Sequence, residues 1–153
     1  MLLIFMGASC TGKSTVAEVL KEDIDMEVYT GKDYLRFAKN ENEAWNIFNE
    51  KLLEASNIKG FSSKSIIYII SDKNILTKLK SFDNAIFVKF TADLNIIKDR
   101  FAKRTKGNLS RPIEKMLEKQ VKDWENTSYN LCIDTTNEEP IELAKKITDI
   151  TEI

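Results

Sequence analysis

The stretch Gly7-Ala8-Ser9-Cys10-Thr11-Gly12-Lys13-Ser14 determines how the rest of this 153-residue chain is interpreted. Its glycines, lysine and final hydroxyl residue have the spacing of a phosphate-binding loop, or P-loop. Directly before it lies the apolar run Leu2 to Met6, which predicts a buried strand, and helical spacing follows from Lys13 to about Glu22. Strand, loop and helix therefore occur in the order that this motif requires.

The motif indicates a specific chemistry. Gly7 and Gly12 allow the backbone to curl so that successive N–H groups converge, and the helix N-terminus adds partial positive charge at the same place. We expect Lys13 to reach the β- and γ-phosphates of ATP, and Ser14 to ligate the Mg²⁺ that bridges them. Thr15 offers a second hydroxyl near the α-phosphate. The predicted nucleotide-binding residues of the loop are Gly7, Ala8, Ser9, Cys10, Thr11, Gly12, Lys13, Ser14 and Thr15.

The remainder of the chain alternates between strand-like and helix-like segments. Strands are predicted at about 26–29, 65–71, 85–90 and 131–133. Helices are predicted at 33–55 and 73–79, around Leu94 to Phe101, from Ile113 to Trp124, and from Pro140 onward. Such alternation is typical of an α/β fold whose parallel sheet is covered by helices on both faces. We expect one domain that comprises residues 1–153.

Composition excludes several other classes. The net charge is −1 and 42% of the residues are hydrophobic, which argues against a polycationic surface for nucleic acid or anionic membranes. The two cysteines, Cys10 and Cys132, are too few for a disulfide framework. No segment approaches the length of an apolar membrane span. We therefore expect a cytoplasmic protein that has neither a nucleic-acid nor a membrane partner.

Arginines are concentrated in one region. Only four of the 23 basic residues are arginines, yet Arg100, Arg104 and Arg111 flank or lie close to the polar loop Thr105 to Ser110. A guanidinium group binds phosphate bidentately and stacks on bases, so this cluster predicts a lid, at about residues 104–112, that closes over a nucleotide. The alternative is a solvated helix face followed by a surface loop.

Two aspartates are candidates for metal and acceptor chemistry. Asp72 directly follows the strongest apolar strand, where a carboxylate can support Mg²⁺, and Asp33 follows the second strand at the same edge of a parallel sheet. Because the chain contains no histidine, we expect a carboxylate to orient the attacking hydroxyl group. Our hypothesis assigns this role to Asp33 and the support of Mg²⁺ to Asp72, and the sequence leaves open the exchange of the two roles. Lys32, Tyr34 and Arg36 are further candidates for binding the acceptor. The alternative is that each aspartate only caps the helix that follows it.

Several motifs together resemble the shikimate kinase group of small P-loop kinases and their nucleotide-kinase relatives. They are the loop, the spacing of Arg104 and Arg111, the tripeptide Arg111-Pro112-Ile113, and Ile133-Asp134-Thr135-Thr136 followed by Pro140-Ile141-Glu142-Leu143-Ala144. The resemblance implies a five-stranded parallel sheet of order 2-3-1-4-5 with a lid before the fifth strand. It also implies that Arg104 stacks near adenine, that Arg111 contacts the ATP phosphates, and that the turn at residues 134–136 borders the base.

The expected activity is an ATP- and Mg²⁺-dependent transfer of the γ-phosphoryl group to a small-molecule acceptor, with Lys13, Asp33 and Arg111 as catalytic residues. The acceptor stays open, because shikimate kinases carry a D-x-D motif and a glycine pair where this chain reads Gly31-Lys32-Asp33 and Ser71-Asp72-Lys73. One alternative is a nucleoside or nucleotide monophosphate kinase, which needs a slot for the acceptor base. Another is a regulator that binds a nucleotide without catalysis.

Overall fold

The computed structural model describes residues 1–79 and 81–151 as an α/β fold. Residues 80, 152 and 153 of the predicted domain lie outside this description. The strands are β1 (Leu2–Met6), β2 (Glu27–Thr30), β3 (Ile66–Ile70), β4 (Ile86–Thr91) and β5 (Leu131–Asp134). The α-helices are α1 (Lys13–Asp23), α2 (Glu41–Asn57), α3 (Lys73–Leu76), α4 (Leu94–Arg104), α5 (Arg111–Trp124) and α6 (Pro140–Thr151), and 3₁₀ helices span Asp33–Phe37 and Thr77–Leu79.

The five strands form one parallel sheet in the order β2-β3-β1-β4-β5. This order confirms the fold that the resemblance implied. β1 is the central strand, and Phe5 is paired with Ile69 of β3 on one side and with Val88 of β4 on the other. Because all strands run in the same direction, their carboxyl ends and the loops that follow them meet at one edge of the sheet.

At the central strands β1 and β3 both faces of the sheet are buried, which explains why these two strands are continuous apolar runs without alternation. One face of β1 packs into a core with α2 and the aromatic side chains around it. The other face packs against α1 and α6. No residue of β1 is more than 1% exposed, so this strand is a rigid base for the loop that follows it.

The predicted helix over 33–55 is divided in two. The 3₁₀ helix Asp33–Phe37 ends at Ala38, whose backbone is extended, and α2 begins at Glu41. Asn40 is the N-cap of α2, and its side-chain oxygen accepts hydrogen bonds from the backbone N–H groups of Asn42 (2.9 Å) and Glu43 (3.2 Å). The predicted helix over 73–79 is likewise a short α-helix followed by a 3₁₀ turn.

Candidate functional site

The loop after β1 has the backbone of an anion-binding turn. Gly7, Cys10 and Gly12 all have positive φ, at 146°, 63° and 89°. A Cβ atom on Gly7 would lie 2.3 Å from the carbonyl oxygen of Phe90, so the first glycine packs directly against β4. The loop is therefore fixed to the central strands, and neither glycine position accommodates an ordinary residue without strain.

Lys13 is folded into this loop. Its side chain is 4% exposed, and its ammonium group donates hydrogen bonds to the carbonyl oxygens of Gly7 (2.7 Å) and Ala8 (2.5 Å) and to Thr11 Oγ1 (3.3 Å). Burial lowers the pKa of Lys13 to about 7; Cys10 opposes this shift, and the charge of Arg104 adds to it. A buried cation beside a second cation favours an anionic ligand, which would compensate both charges.

A groove of about 690 Å³ opens beside the loop. Its walls include Gly12 and Thr15 from the loop and α1, Arg104 from α4, and Thr135, Thr136 and Pro140 from the turn between β5 and α6. The structure thus brings together the loop, one lid arginine and the turn that the resemblance placed next to the base. Adenine stacking by Arg104 stays a prediction.

The predicted lid is the connection between α4 and α5. Lys106 and Gly107 have positive φ, and the N–H of Gly107 donates a hydrogen bond to the carbonyl oxygen of Ala102. This turn follows the end of α4 at Arg104. Arg111 is the first residue of α5 and is exposed. The structure therefore places Arg104 on the groove and Arg111 at the start of the next helix. Closure of residues 104–112 over a nucleotide stays a prediction.

Ser14 and Asp72 are the residues predicted for the metal. Ser14 is exposed in the first turn of α1. Asp72 is exposed at the end of β3 and caps α3, because its Oδ1 accepts a hydrogen bond from the backbone N–H of Asn74 at 2.9 Å. No group of three or more acidic, cysteine or histidine side chains within residues 1–79 and 81–151 could hold a metal ion. The hydroxyl of Ser14 and the carboxylate of Asp72 are oxygen donors of the kind that Mg²⁺ takes.

Asp33 lies at the end of β2, which neighbours the end of β3 where Asp72 is found. Its Oδ2 accepts a hydrogen bond from the backbone N–H of Thr30 at 2.8 Å, so the side chain stabilises the turn. Lys32 and Arg36, on either side of it, are exposed. The turn uses Oδ2 of this carboxylate, whose other oxygen, Oδ1, is also a hydrogen-bond acceptor.

Tyr34, which was predicted to bind the acceptor, is buried. It is 2% exposed, and its ring packs against Trp45 (ring centroids 5.0 Å apart) and Phe48 (6.0 Å). Its hydroxyl donates to Glu41 Oε1 at 3.3 Å. Its ring is therefore part of the aromatic core beneath the edge of the sheet, and its contact with an acceptor stays a prediction.

Two side chains that contact this edge were not singled out as site residues from the sequence. Gln120 of α5 accepts a hydrogen bond through Oε1 from the backbone N–H of Ser9, at 2.9 Å. Trp124, at the end of α5, donates through Nε1 to the carbonyl oxygen of Ser71, at 3.0 Å. The helix that follows the lid thus runs from the loop to the end of β3. These contacts have no sequence signal, because they join residues 111 and 53 positions apart.

Arg100 was grouped with the lid arginines in sequence and lines the same groove as Arg104, but its side chain makes different contacts. Its guanidinium group donates to the carbonyl oxygen of Cys10 within the loop and to two oxygen atoms of Thr135. Arg100 is therefore anchored against the loop after β1, whereas Arg104 and Arg111 are exposed.

No protein-family model matches this chain, and no curated protein matches it in sequence. Solved structures do match it in fold. The tunicamycin resistance protein of Deinococcus radiodurans superposes with a TM-score of 0.71 at 17% identity, covering 99% of this chain and 95% of that chain. A shikimate kinase from Acinetobacter baumannii, determined with shikimate, gives 0.65 at 18% identity, covering 97% and 91%. A gluconokinase from Sinorhizobium meliloti gives 0.63 at 14% identity, covering 98% and 93%.

These structural neighbours confirm the resemblance at the level of fold: the chain has the architecture of the small P-loop kinases. Across the described part of the chain, no helix has both the length and the apolar character needed to span a membrane.

Proposed function

We propose that this protein is a phosphotransferase that uses ATP and Mg²⁺ to phosphorylate a hydroxyl group of a small molecule. The observation that carries the proposal is the ammonium group of Lys13, which is buried in a glycine-containing loop beside a groove of nucleotide size. A buried cation with a lowered pKa is costly to maintain, and binding phosphates there would recover that cost.

The residues around the groove have separate roles in this proposal. The backbone N–H groups of the loop and Lys13 bind the β- and γ-phosphates, and Arg104 and Arg111 close over the nucleotide. Mg²⁺, bound through the phosphates and Ser14 with support from Asp72, neutralises charge on the transferred group. Asp33 orients the acceptor hydroxyl at the edge formed by β2 and β3.

The acceptor is proposed to be a small molecule. Two of the structural neighbours are named as a shikimate kinase and a gluconokinase, which supports this class. A second candidate, a nucleoside or nucleotide monophosphate kinase, is favoured by one observation: a groove of about 510 Å³ beside Tyr34. It is lined by Glu41, Asn42, Trp45, Asn46 and Lys78, and the Lys78 ammonium lies 4.8 Å from the centre of one Trp45 ring.

The experiment that tests both candidates couples ADP formation to a panel of acceptors in the presence of Mg·ATP. Hydroxylated acids and sugars form one arm, and nucleosides and nucleoside monophosphates form the other. Lys13→Ala is the matched control, because we expect it to lower phosphoryl transfer by orders of magnitude while the fold is retained. A rate that no acceptor increases would indicate a nucleotide-binding regulator, and an active Lys13→Ala variant would contradict the assignment of the loop.

A further inference from the structure

A hydrogen-bond network joins the phosphate-binding loop to the turn after β5. Arg100 Nη1 donates to the carbonyl oxygen of Cys10 (3.1 Å) and to Thr135 Oγ1 (3.0 Å), and Nη2 donates to the carbonyl oxygen of Thr135 (2.8 Å). The Thr135 hydroxyl, in turn, donates to the carbonyl oxygen of Thr11 at 2.8 Å. Thr135 is 4% exposed. Two consecutive carbonyl groups of the loop are therefore held from outside by one arginine and one threonine.

The direction of these carbonyl groups fixes the direction of the amides that follow them. In a trans peptide the C=O and the next N–H point in opposite directions. If the carbonyl groups of Cys10 and Thr11 face Arg100 and Thr135, the N–H groups of Thr11 and Gly12 face the other way. Those amides belong to the part of the motif whose N–H groups cradle phosphate.

The same network stabilises an unfavourable backbone conformation. Cys10 is a non-glycine residue with φ of 63°, a left-handed conformation that costs roughly 1–2 kcal/mol. Its carbonyl oxygen accepts the hydrogen bond from Arg100. The turn also packs closely on the loop, since a Cβ atom on Gly12 would lie 3.4 Å from Thr135 Cγ2. Arg100 and the turn after β5 thus support the loop at its strained residue, Cys10, and at Gly12.

We propose that Arg100 and Thr135 are positioning residues that preorganise the loop for phosphate, and that they do not act as lid or base-stacking residues. The inference rests on the proposed nucleotide site. It predicts that the network affects every ligand that carries phosphates, whether or not the ligand has a base, because the network acts on the loop amides themselves.

The test compares the binding of tripolyphosphate, ATP and adenosine by calorimetry, with Mg²⁺ present throughout. Arg100→Lys keeps the charge but cannot reach three oxygens, and Thr135→Val keeps the shape but removes the hydroxyl group. Each variant is expected to bind tripolyphosphate and ATP more weakly than the wild type, by a similar factor of roughly tenfold for both ligands. Thr135→Ser, which retains the hydroxyl, should restore wild-type affinity. The double variant should bind little more weakly than either single one, since both changes break the same network.

The control is Lys98→Gln on the same helix, because the ammonium of Lys98 pairs with Glu118 at the surface (3.0 Å) and not with the loop. Its affinities should match those of the wild type. Urea unfolding of every variant separates loss of binding from loss of fold. If only the affinity for ATP fell, Arg100 would stack on the base. If the free energy of unfolding fell while both affinities stayed unchanged, the network would have a purely structural role. Either result overturns the inference. A wild-type protein that binds neither ATP nor tripolyphosphate would instead contradict the proposed function.

Discussion

Replacing Lys13 by methionine should change how the stability of the protein depends on pH. Methionine keeps much of the length of the lysine stem but carries no charge, so the buried ammonium group is removed with little change in packing. The pKa of Lys13 falls from its ordinary value of 10.5 to about 7 in the folded protein, chiefly because the side chain is buried. The variant lacks this titrating group in both the folded and the unfolded state.

The sign and size of the effect follow from linkage. Between about pH 7 and pH 10.5 the unfolded wild-type chain binds a proton at Lys13 that the folded protein does not. Wild-type stability therefore rises through this range relative to the variant, by up to about 1.4 kcal/mol per pH unit. Below about pH 7 the full penalty is present, on the order of 5 kcal/mol at most. The carbonyl oxygens of Gly7 and Ala8 lose a donor in the variant, but this cost does not depend on pH.

The assay is urea unfolding of both proteins at about pH 6, 7, 8 and 9 without nucleotide. The stability of the variant minus that of the wild type should be level up to about pH 7 and then fall by roughly 2–3 kcal/mol by about pH 9. Titrations of other groups are common to both proteins and cancel in the difference. A difference that stays constant across the range would refute the argument that Lys13 is a buried, destabilised cation.

Three further predictions concern other parts of the site. Gly7→Ala should destabilise the protein by more than about 3 kcal/mol, whereas Gly31→Ala, where a Cβ atom meets nothing within 4 Å, should cost only about 1 kcal/mol; equal urea midpoints would contradict this. Arg111→Lys keeps the charge but loses the planar fork, so steady-state kinetics should show a larger fall in kcat than in ATP affinity, and wild-type kinetics would end the lid hypothesis. Asp33→Asn should abolish acceptor phosphorylation with ATP binding nearly unchanged, while Asp72→Asn should raise the Mg²⁺ concentration needed for activity. Variants that lose only stability would mean that Asp33 serves only its turn and Asp72 only its helix cap.

The loop after β1 and the elements on either side of it could be predicted from the sequence because their signals are local. The apolar run Leu2 to Met6, the two glycines and Lys13 lie within a dozen residues and specify strand, turn and helix in succession. The order of the strands could not be predicted from local signals, since it depends on pairings between segments that are distant in sequence. Alternation predicted only a parallel sheet, and the order 2-3-1-4-5 came from the resemblance.

The acceptor side was harder to predict because residue type does not reveal burial there. Tyr34 follows a loop at the ligand edge, which made it a candidate for substrate binding, yet it lies in an aromatic cluster with Trp45 and Phe48. The break before α2 depends on Asn40, whose capping role is a local signal that competes with the apolar stripe of the helix. Periodicity over a long window conceals such a break.

The arginine cluster shows why composition does not assign roles. Arg100 and Arg104 are one helical turn apart on α4, and the sequence gives no reason to separate them. The structure separates them because the partner of Arg100 is 90 positions away, at the carbonyl group of Cys10. An arginine held by three oxygens is committed to a fixed geometry, whereas Arg104 is exposed on the groove. Of the two arginines that line the groove, Arg104 is thus the more exposed.

The course of α5 connects the lid to both ends of the site. The helix begins at Arg111, contacts the loop through Gln120 and Ser9, and reaches the end of β3 through Trp124. α5 is a continuous helix of 14 residues, so a shift of the whole helix would move both of its ends. If the proposed lid closes by such a shift, it would either displace Trp124 from the carbonyl oxygen of Ser71 or break the hydrogen bond between Gln120 and the Ser9 amide. In the proposed function, closure would therefore also act on the edge of the sheet where Asp33 and Asp72 lie.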